Sequence, residues 1–387
     1  MGDENGYDFE LLYRNGRVIF VKKNGNKKVM SVLMSILLVL GTAACSEKQP
    51  ANSNAAGEEA EGAQKQSAEL VDFSIGYLPS TGHLLYFVAK EKGFFEEEGL
   101  NADLVLFAEN NSMLTALENK KLQAGALGST NSINYLQQGH QVTVFGGAMT
   151  EGHALVVKKE VVEGLGDKAD LTALKGKRIA DTYGGTADVV FRQGLLDVGL
   201  DPEKDVELVS VESGSAAFTS LKSDEIDGAI LFTPFRKLAE DDGYVILSYS
   251  GEVEGFEKHP CCRQVALTEE LESNPDTYVQ FLRALIKAYK FYQENEDETV
   301  DIIAKYVDID KEILKAETYG KFISSNPDPD KDATIAFYDA MVNLDYVKPF
   351  DIEAGIDTSL YEEALDSIIE ENPNDATYKS LVAYHNQ

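Results

Sequence analysis

Basic side chains are scarce in this chain: 35 Lys and Arg stand against 66 Asp and Glu in 387 residues. Residues 1–44 hold six of the basic and four of the acidic groups, which leaves residues 45–387 with 29 and 62. A surface of that sign repels nucleic acid and anionic lipid headgroups, so no nucleic-acid partner is expected. Cysteine is scarcer still. Cys45, Cys261 and Cys262 are the only three, which excludes a disulfide-framework fold. No Ser-His-Asp order, P-loop or His-Glu-x-x-His is present. Nothing argues for hydrolysis, and neither an enzyme nor a cofactor is expected. There is also no internal repeat.

What is present begins at the N-terminus. A basic segment with Lys22, Lys23, Lys27 and Lys28 precedes an uncharged apolar stretch from Val29. Small residues then lead into Cys45 in Leu40-Gly41-Thr42-Ala43-Ala44-Cys45. That order is the order of an export signal, and the cysteine after the small residues resembles a bacterial lipobox. The resemblance implies cleavage before Cys45 and lipidation of its thiol. The alternative is a short transmembrane helix over residues 29–46, near the lower limit of a span, where about 20 residues are wanted. Residues 1–20 carry acids and short apolar runs unlike a signal opening. With Val21 as a GTG start the chain would open Met-Lys-Lys-Asn-Gly-Asn-Lys-Lys, so residues 1–20 read as a start-site artefact; a genuine extension is the alternative. Residues 1–44 are therefore the signal region. The polar stretch 45–69 is the lipid anchor and a flexible tether.

Beyond the tether, strand and helix patterns alternate. Strands are expected at 71–77, 104–107, 124–128, 142–145, 154–157, 178–180, 206–211, 228–232 and 265–267. Helices are expected at 84–92, after a cap at Ser112, after a cap formed by Ser129-Thr130-Asn131-Ser132, and from Ala187. From Pro275 the chain is mostly amphipathic helix. Alternation of this kind argues for parallel α/β sheets. Two blocks of it, over a length suited to two domains, argue for two lobes with ligands at the carboxyl ends of strands.

The run Gly76-Tyr77-Leu78-Pro79, followed by Phe87-Val88-Ala89-Lys90-Glu91-Lys92-Gly93-Phe94-Phe95, resembles the opening of the binding proteins for nitrate, sulfonates, taurine and thiamine pyrimidine precursors. Leu174-Lys175-Gly176-Lys177-Arg178-Ile179-Ala180 is similar to their second-lobe opening. Gly199-Leu200-Asp201-Pro202 and Glu225-Ile226-Asp227-Gly228-Ala229, with Pro234 behind it, match in the same order. The similarity covers about residues 71 to 300. It implies a type II periplasmic-binding-protein fold, with two α/β lobes joined by a two-strand hinge. Lobe 1 would comprise 70–155 with 258–387, and lobe 2 would comprise 156–257. It further implies a solute-binding lipoprotein of an ABC importer, a monomer that closes over a small molecule and delivers it to a membrane permease. The lipid anchor would hold it at the cell membrane on the extracytoplasmic face. The superfamily includes an enzyme that makes the thiamine pyrimidine and consumes one of its own histidines. Counting back from Val142, Asn131 holds that histidine's place, and the enzyme's cysteine run is cut here to Cys261-Cys262. Both departures favour a binder. An extracytoplasmic sensor partner is a third reading.

Candidate ligand contacts follow from loops at strand ends. Tyr77, Pro79, Ser80 and His83 lie in a loop whose backbone N–H groups would face the cleft and suit an anionic or polar substituent. Ser129, Thr130 and Asn131 form a similar loop. Tyr183, Gly185 and Thr186 are its second-lobe counterpart, with Tyr183 able to stack on a ring. Each loop could equally be a plain capped turn. Phe235, with Tyr77 and Tyr183, leans toward a planar heterocycle, while Arg263 leans toward a small anion. Tyr77, Tyr183 and Arg263 are expected to face one another across the cleft. Cys261 and Cys262 could line the cleft, pack as small residues, or form a strained vicinal disulfide. With His83 and His153 they could also hold zinc or iron, although the spacing matches no standard metal site.

Overall fold

A computed structural model describes residues 9–14, 17–22 and 70–387. The apolar signal stretch, Cys45 and the tether lie outside the described residues. Near the N-terminus, β1 (Phe9–Arg14) pairs antiparallel with β2 (Arg17–Lys22).

Two sheets organise the rest. The strands that build the first are β3 (Val71–Tyr77), β4 (Leu100–Leu106), β5 (Ala124–Gly128) and β6 (Val142–Glu151). The chain then enters the second sheet through β7 (His153–Val157), β8 (Arg178–Asp181), β9 (Glu207–Ser210), β10 (Gly228–Phe232) and β11 (Val245–Tyr249). It returns to the first through β12 (Pro260–Leu267) and ends that sheet with β13 (Ile323–Ser325). The strand orders are β13-β6-β12-β5-β3-β4 and β11-β7-β10-β8-β9. The alternating pattern gives the expected parallel pairs β3 with β4 and β5, and β8 with β9 and β10. Both sheets are nevertheless mixed. β12 runs antiparallel between β5 and β6, and β7 runs antiparallel to β10 and β11. Apart from β13, which pairs antiparallel with β6, the antiparallel strands are the ones that carry the chain between sheets.

Two crossings therefore join the sheets. The first is a single residue, Gly152, whose φ of +89° suits glycine. The second spans residues 250–259. Glu151 holds the crossings together: its N–H donates to His259 O at 3.0 Å, and its carboxylate accepts from Lys258 N at 3.1 Å.

The helix Pro275–Glu294 forms because apolar residues recur at 278, 281, 282, 285 and 292, with Pro275 in its first turn. It buries that stripe on the first sheet, where Phe281 stacks on Phe73 at 5.1 Å and Tyr278 meets Phe145 edge-on at 5.4 Å. The helix Asn110–Glu118 starts two residues before the expected cap, and Ser112 bonds instead to the Glu109 carboxylate at 3.0 Å. No side chain caps the helix Ser129–Gln137, because its N-cap is Gly128; Ser132 Oγ donates back to Gly128 O. Among the described residues no helix is long and apolar enough to cross a membrane.

On β6, Gly147 permits a close approach by the segment after β13. Its N–H donates to Pro327 O at 2.7 Å, and a Cβ there would overlap the carbonyl oxygens of Asn326 and Asp328. Neither neighbour is a flexible side chain, so the backbone itself would have to move. Gly147→Ala is expected to cost about 3 kcal/mol in urea unfolding. A loss below about 1 kcal/mol would show that the segment is not held there.

Candidate functional site

A cavity of about 180 Å³ opens between the two sheets. Leu78, Asn110, Gly128, Asn131, Cys261 and Cys262 line it from the first sheet's side, and His153, Asp181, Thr182, Gly185, Thr186, Asp188, Ile230 and Phe232 from the second's. Asp181 ends β8, and Phe232 ends β10. The carboxyl ends of these strands thus meet the cavity, as α/β architecture favours. Hydroxyl pairs span the two sides: Thr130 Oγ1 lies 3.4 Å from Thr186 Oγ1, and Thr81 Oγ1 lies 3.1 Å from Thr233 Oγ1.

The expected site residues divide into two groups. Asn131, Gly185, Thr186, Cys261 and Cys262 line the cavity, and Thr130 reaches across beside it. Ser129 is buried, with an unpartnered Oγ. The others lie elsewhere. Tyr77 packs into the first core, edge-on to Phe87 at 5.2 Å and Tyr306 at 6.2 Å. Tyr183 is 65% exposed, tilted on Tyr346 at 5.5 Å with the Arg192 guanidinium 5.4 Å from its ring. Phe235 meets Phe232 edge-on at 5.9 Å and belongs to a core cluster of the second sheet. Arg263 is 1% exposed and turned toward the helix Lys331–Asn343. It donates to Cys262 O at 3.0 Å and Met149 O at 3.4 Å, and stands 3.9 Å from Asp330. The structure does not bring Tyr77, Tyr183 and Arg263 together.

The loop after β3 also differs from expectation. Ser80 Oγ accepts from Gly82 N at 3.2 Å, His83 N donates to Ser80 O, Ser80 N donates to Leu78 O, and Leu78 N donates to His83 Nδ1 at 3.3 Å. With Pro79 supplying no N–H, the loop closes on itself and leaves those amides no bond to offer a ligand. Pro79 and Ser80 are half-buried, and His83 is buried.

Among the lining residues that were not expected as ligand contacts are Asp181, Asp188 and Phe232. The signal was faint, because the sequence reading ended β8 at Ala180, one residue short. Asp188 accepts from Gly184 N at 2.7 Å and pairs with Arg192, and the Tyr346 hydroxyl donates to it. Asp181 is 1% exposed and its Oδ1 has no hydrogen-bond partner. Burial, with Asp188 beside it, pushes the Asp181 carboxyl up to about 9. The thiols are free, with Sγ atoms 3.5 Å apart. Cys261 and His83 together hold the Cys262 thiol down to about 5, while Cys261 is pushed up. His153 Nε2 stands 3.8 Å from Cys261 Sγ, and burial lowers the basicity of this imidazole and of His259, the latter to about 4. Among the described residues no group of three or more His, Cys, Asp or Glu side chains is placed to hold a metal ion.

Two mixed α/β sheets, two crossings and a cavity between strand ends define the periplasmic-binding-protein fold. The chain belongs to the NMT1-like family, whose model matches residues 66–308. A Bacillus subtilis protein named as a binding protein, YtlA, is 28% identical over 308 residues, covering 76% of this chain and 84% of its own. A second Bacillus subtilis protein, named for binding aliphatic sulfonates, is 24% identical and covers 88% of this chain and 97% of its own. The crystal structure of the periplasmic nitrate-binding protein NrtA from Synechocystis PCC 6803 superposes with a TM-score of 0.66 at 14% identity, over 80% of this chain and 92% of that one.

Asp181 also sets a pH dependence. Its folded value lies above the ordinary carboxyl value, so between about pH 4 and about pH 9 the folded state keeps a proton that the unfolded state sheds. Stability therefore falls as pH rises through that window. Asp181→Asn keeps the shape and removes the proton. The variant is expected to gain up to about 4 kcal/mol on the parent between about pH 5 and about pH 8 in urea unfolding. Parallel pH profiles for the two proteins would contradict the assignment.

Proposed function

We propose that this chain is an extracytoplasmic solute-binding lipoprotein of an ABC importer. Its two lobes, 70–151 with 260–387 and 153–249, part at the crossings, three residues before the boundary expected at 155; they close over a small molecule, and the closed form docks on a membrane permease. The observation that carries this reading is the cavity itself, lined from both sheets and spanned by threonine pairs. Residues of one side can approach the other only by rotation about the crossings at Gly152 and 250–259. The names of the relatives point to capture of small solutes. Cys45 would carry the lipid that holds the protein at the membrane as a monomer.

Capture without turnover is the reading because Asn131, which lines the cavity, stands in the sequence where the resembled enzyme would carry its consumed histidine. Its amide oxygen is occupied by Asn110 at 3.0 Å.

Closure is testable through the hydroxyl pair. Thr130→Val removes the interlobe bond to Thr186 but keeps the side-chain shape. Once a ligand is in hand, calorimetry should show weakening of about threefold to tenfold, the worth of one hydrogen bond. The ligand should be recovered unchanged after saturation. An unaltered affinity, or a ligand converted to product, would contradict capture by closure. Mass spectrometry of the native protein should find Cys45 as the modified N-terminus; a chain retaining Met1 would contradict the anchor.

A further inference from the structure

The lining of the cavity has a charge bias that an oxyanion would oppose. No Lys or Arg side chain lines it, Asp188 is an acid, and Cys261 and His83 hold the Cys262 thiol down to about 5, while Asp181 keeps its proton and adds no charge. The two nearby guanidinium groups are committed elsewhere. Arg192 pairs with Asp188 and Glu203, and Arg263 turns toward Cys262 O, Met149 O and Asp330, with its buried Nη2 left without a hydrogen bond. Some backbone donors are committed too, although no side chain caps the first-turn amides of the helices Ser129–Gln137 and Thr186–Asp197. Gly184 N bonds Asp188, Gly185 N bonds Thr182 O at 3.0 Å, and the loop after β3 is closed on itself. The N-terminus of the helix Thr186–Asp197 already has Asp188 in its first turn.

Two side chains on the lining leave a buried polar atom without a partner. Asp181 Oδ1 is buried and unpartnered. His153, 6% exposed, leaves its Nδ1 unpartnered on the same lining. Buried polar atoms without a partner are costly, and a ligand that supplies the missing bond recovers that cost. Leu78, Ile230 and Phe232 add apolar walls for a compact body.

We propose that Asp181, backed by Asp188, is the recognition point for a cationic nitrogen group, an amidinium, guanidinium or ammonium, of the small ligand that the cavity captures. The proposal rests on the solute-binding reading and specifies its substrate class. The exchange balances in charge. In the empty cavity Asp181 carries a proton beside the Asp188–Arg192 pair; in the filled one the ligand cation takes that proton's place, and the proton leaves to solvent. The other titratable groups that face this point are Tyr346, His153, Cys261 and Cys262.

The test is a thermal-shift screen of the full chain, followed by calorimetry. Benzamidine, methylguanidine, methylammonium and agmatine are set against nitrate, sulfate, methanesulfonate and taurine. At least one cation is expected to raise the melting temperature, and Asp181→Asn to weaken its binding at least tenfold. Calorimetry in buffers of different ionisation enthalpy should show release of about one proton per cation bound at neutral pH. A purely structural role for Asp181 would not produce that release. Binding of an oxyanion to the parent and to Asp181→Asn alike overturns the ligand class and leaves the solute-binding reading standing. Cation binding without proton release, or unchanged in the variant, also overturns the class. No binding by either set overturns both.

Discussion

The insertion of β12 between β5 and β6 is the constraint on which the rest of this structure depends. Its residues pair on both sides, Cys262 with Gly128 and Met149, and Gln264 with Ala126 and Gly146. Gln264 also donates to Gly147 O at 3.0 Å and accepts from the Tyr86 hydroxyl, which ties the first helix to the sheet. Arg263 holds the helix Lys331–Asn343 through Thr334 and Asp330. Because β12 arrives from the second sheet, this pairing sets where the return crossing enters. It also carries Cys261 and Cys262 to the cavity wall.

The crossings are braced by buried polar groups. Arg236, on the helix Phe235–Asp241, bonds the Glu317 carboxylate, and Lys237 N donates to the same group at 2.8 Å. Arg236 also donates to Phe322 O at 3.2 Å, the same carbonyl oxygen that accepts from Gly152 N at 2.8 Å. Removing one partner of such a buried pair costs about 3 to 5 kcal/mol, because the other charge stays buried alone. The brace lies where the chain crosses between sheets, beside the Thr81–Thr233 pair, which suits the pivot of the proposed closure and leaves the Thr130–Thr186 contact as the part that would open. His153 and His259, stacked at 5.8 Å, complete the packing at the pivot in their neutral form.

Most of the fold was legible because it rests on periodicity. Residues 71–77 alternate as a strand and form β3, and the stripe from Tyr278 to Tyr292 forms the long helix. β11 and β13 were missed for a physical reason: both lie at sheet edges, where half the backbone is unpaired and the apolar pattern is short. The site was less legible, because a side chain's direction at a strand end depends on packing that no local pattern records. Tyr77 turned into an aromatic cluster with Phe87 and Tyr306. Arg263 turned onto a helix that lies some seventy residues further along the chain. Asp181 looked like an ordinary acid in an acidic chain; only its burial and its bare Oδ1 distinguish it. The cysteine pair was found because adjacent cysteines are rare in so cysteine-poor a chain.

The central claim is that two lobes rotate about the crossings and meet over a ligand. Small-angle X-ray scattering of the purified protein, with and without a ligand found by screening, tests it most directly. The account predicts a smaller radius of gyration when ligand is bound, with a curve that fits the arrangement of residues 70–387 described above, in which Thr130 meets Thr186. Identical curves with and without ligand would contradict it.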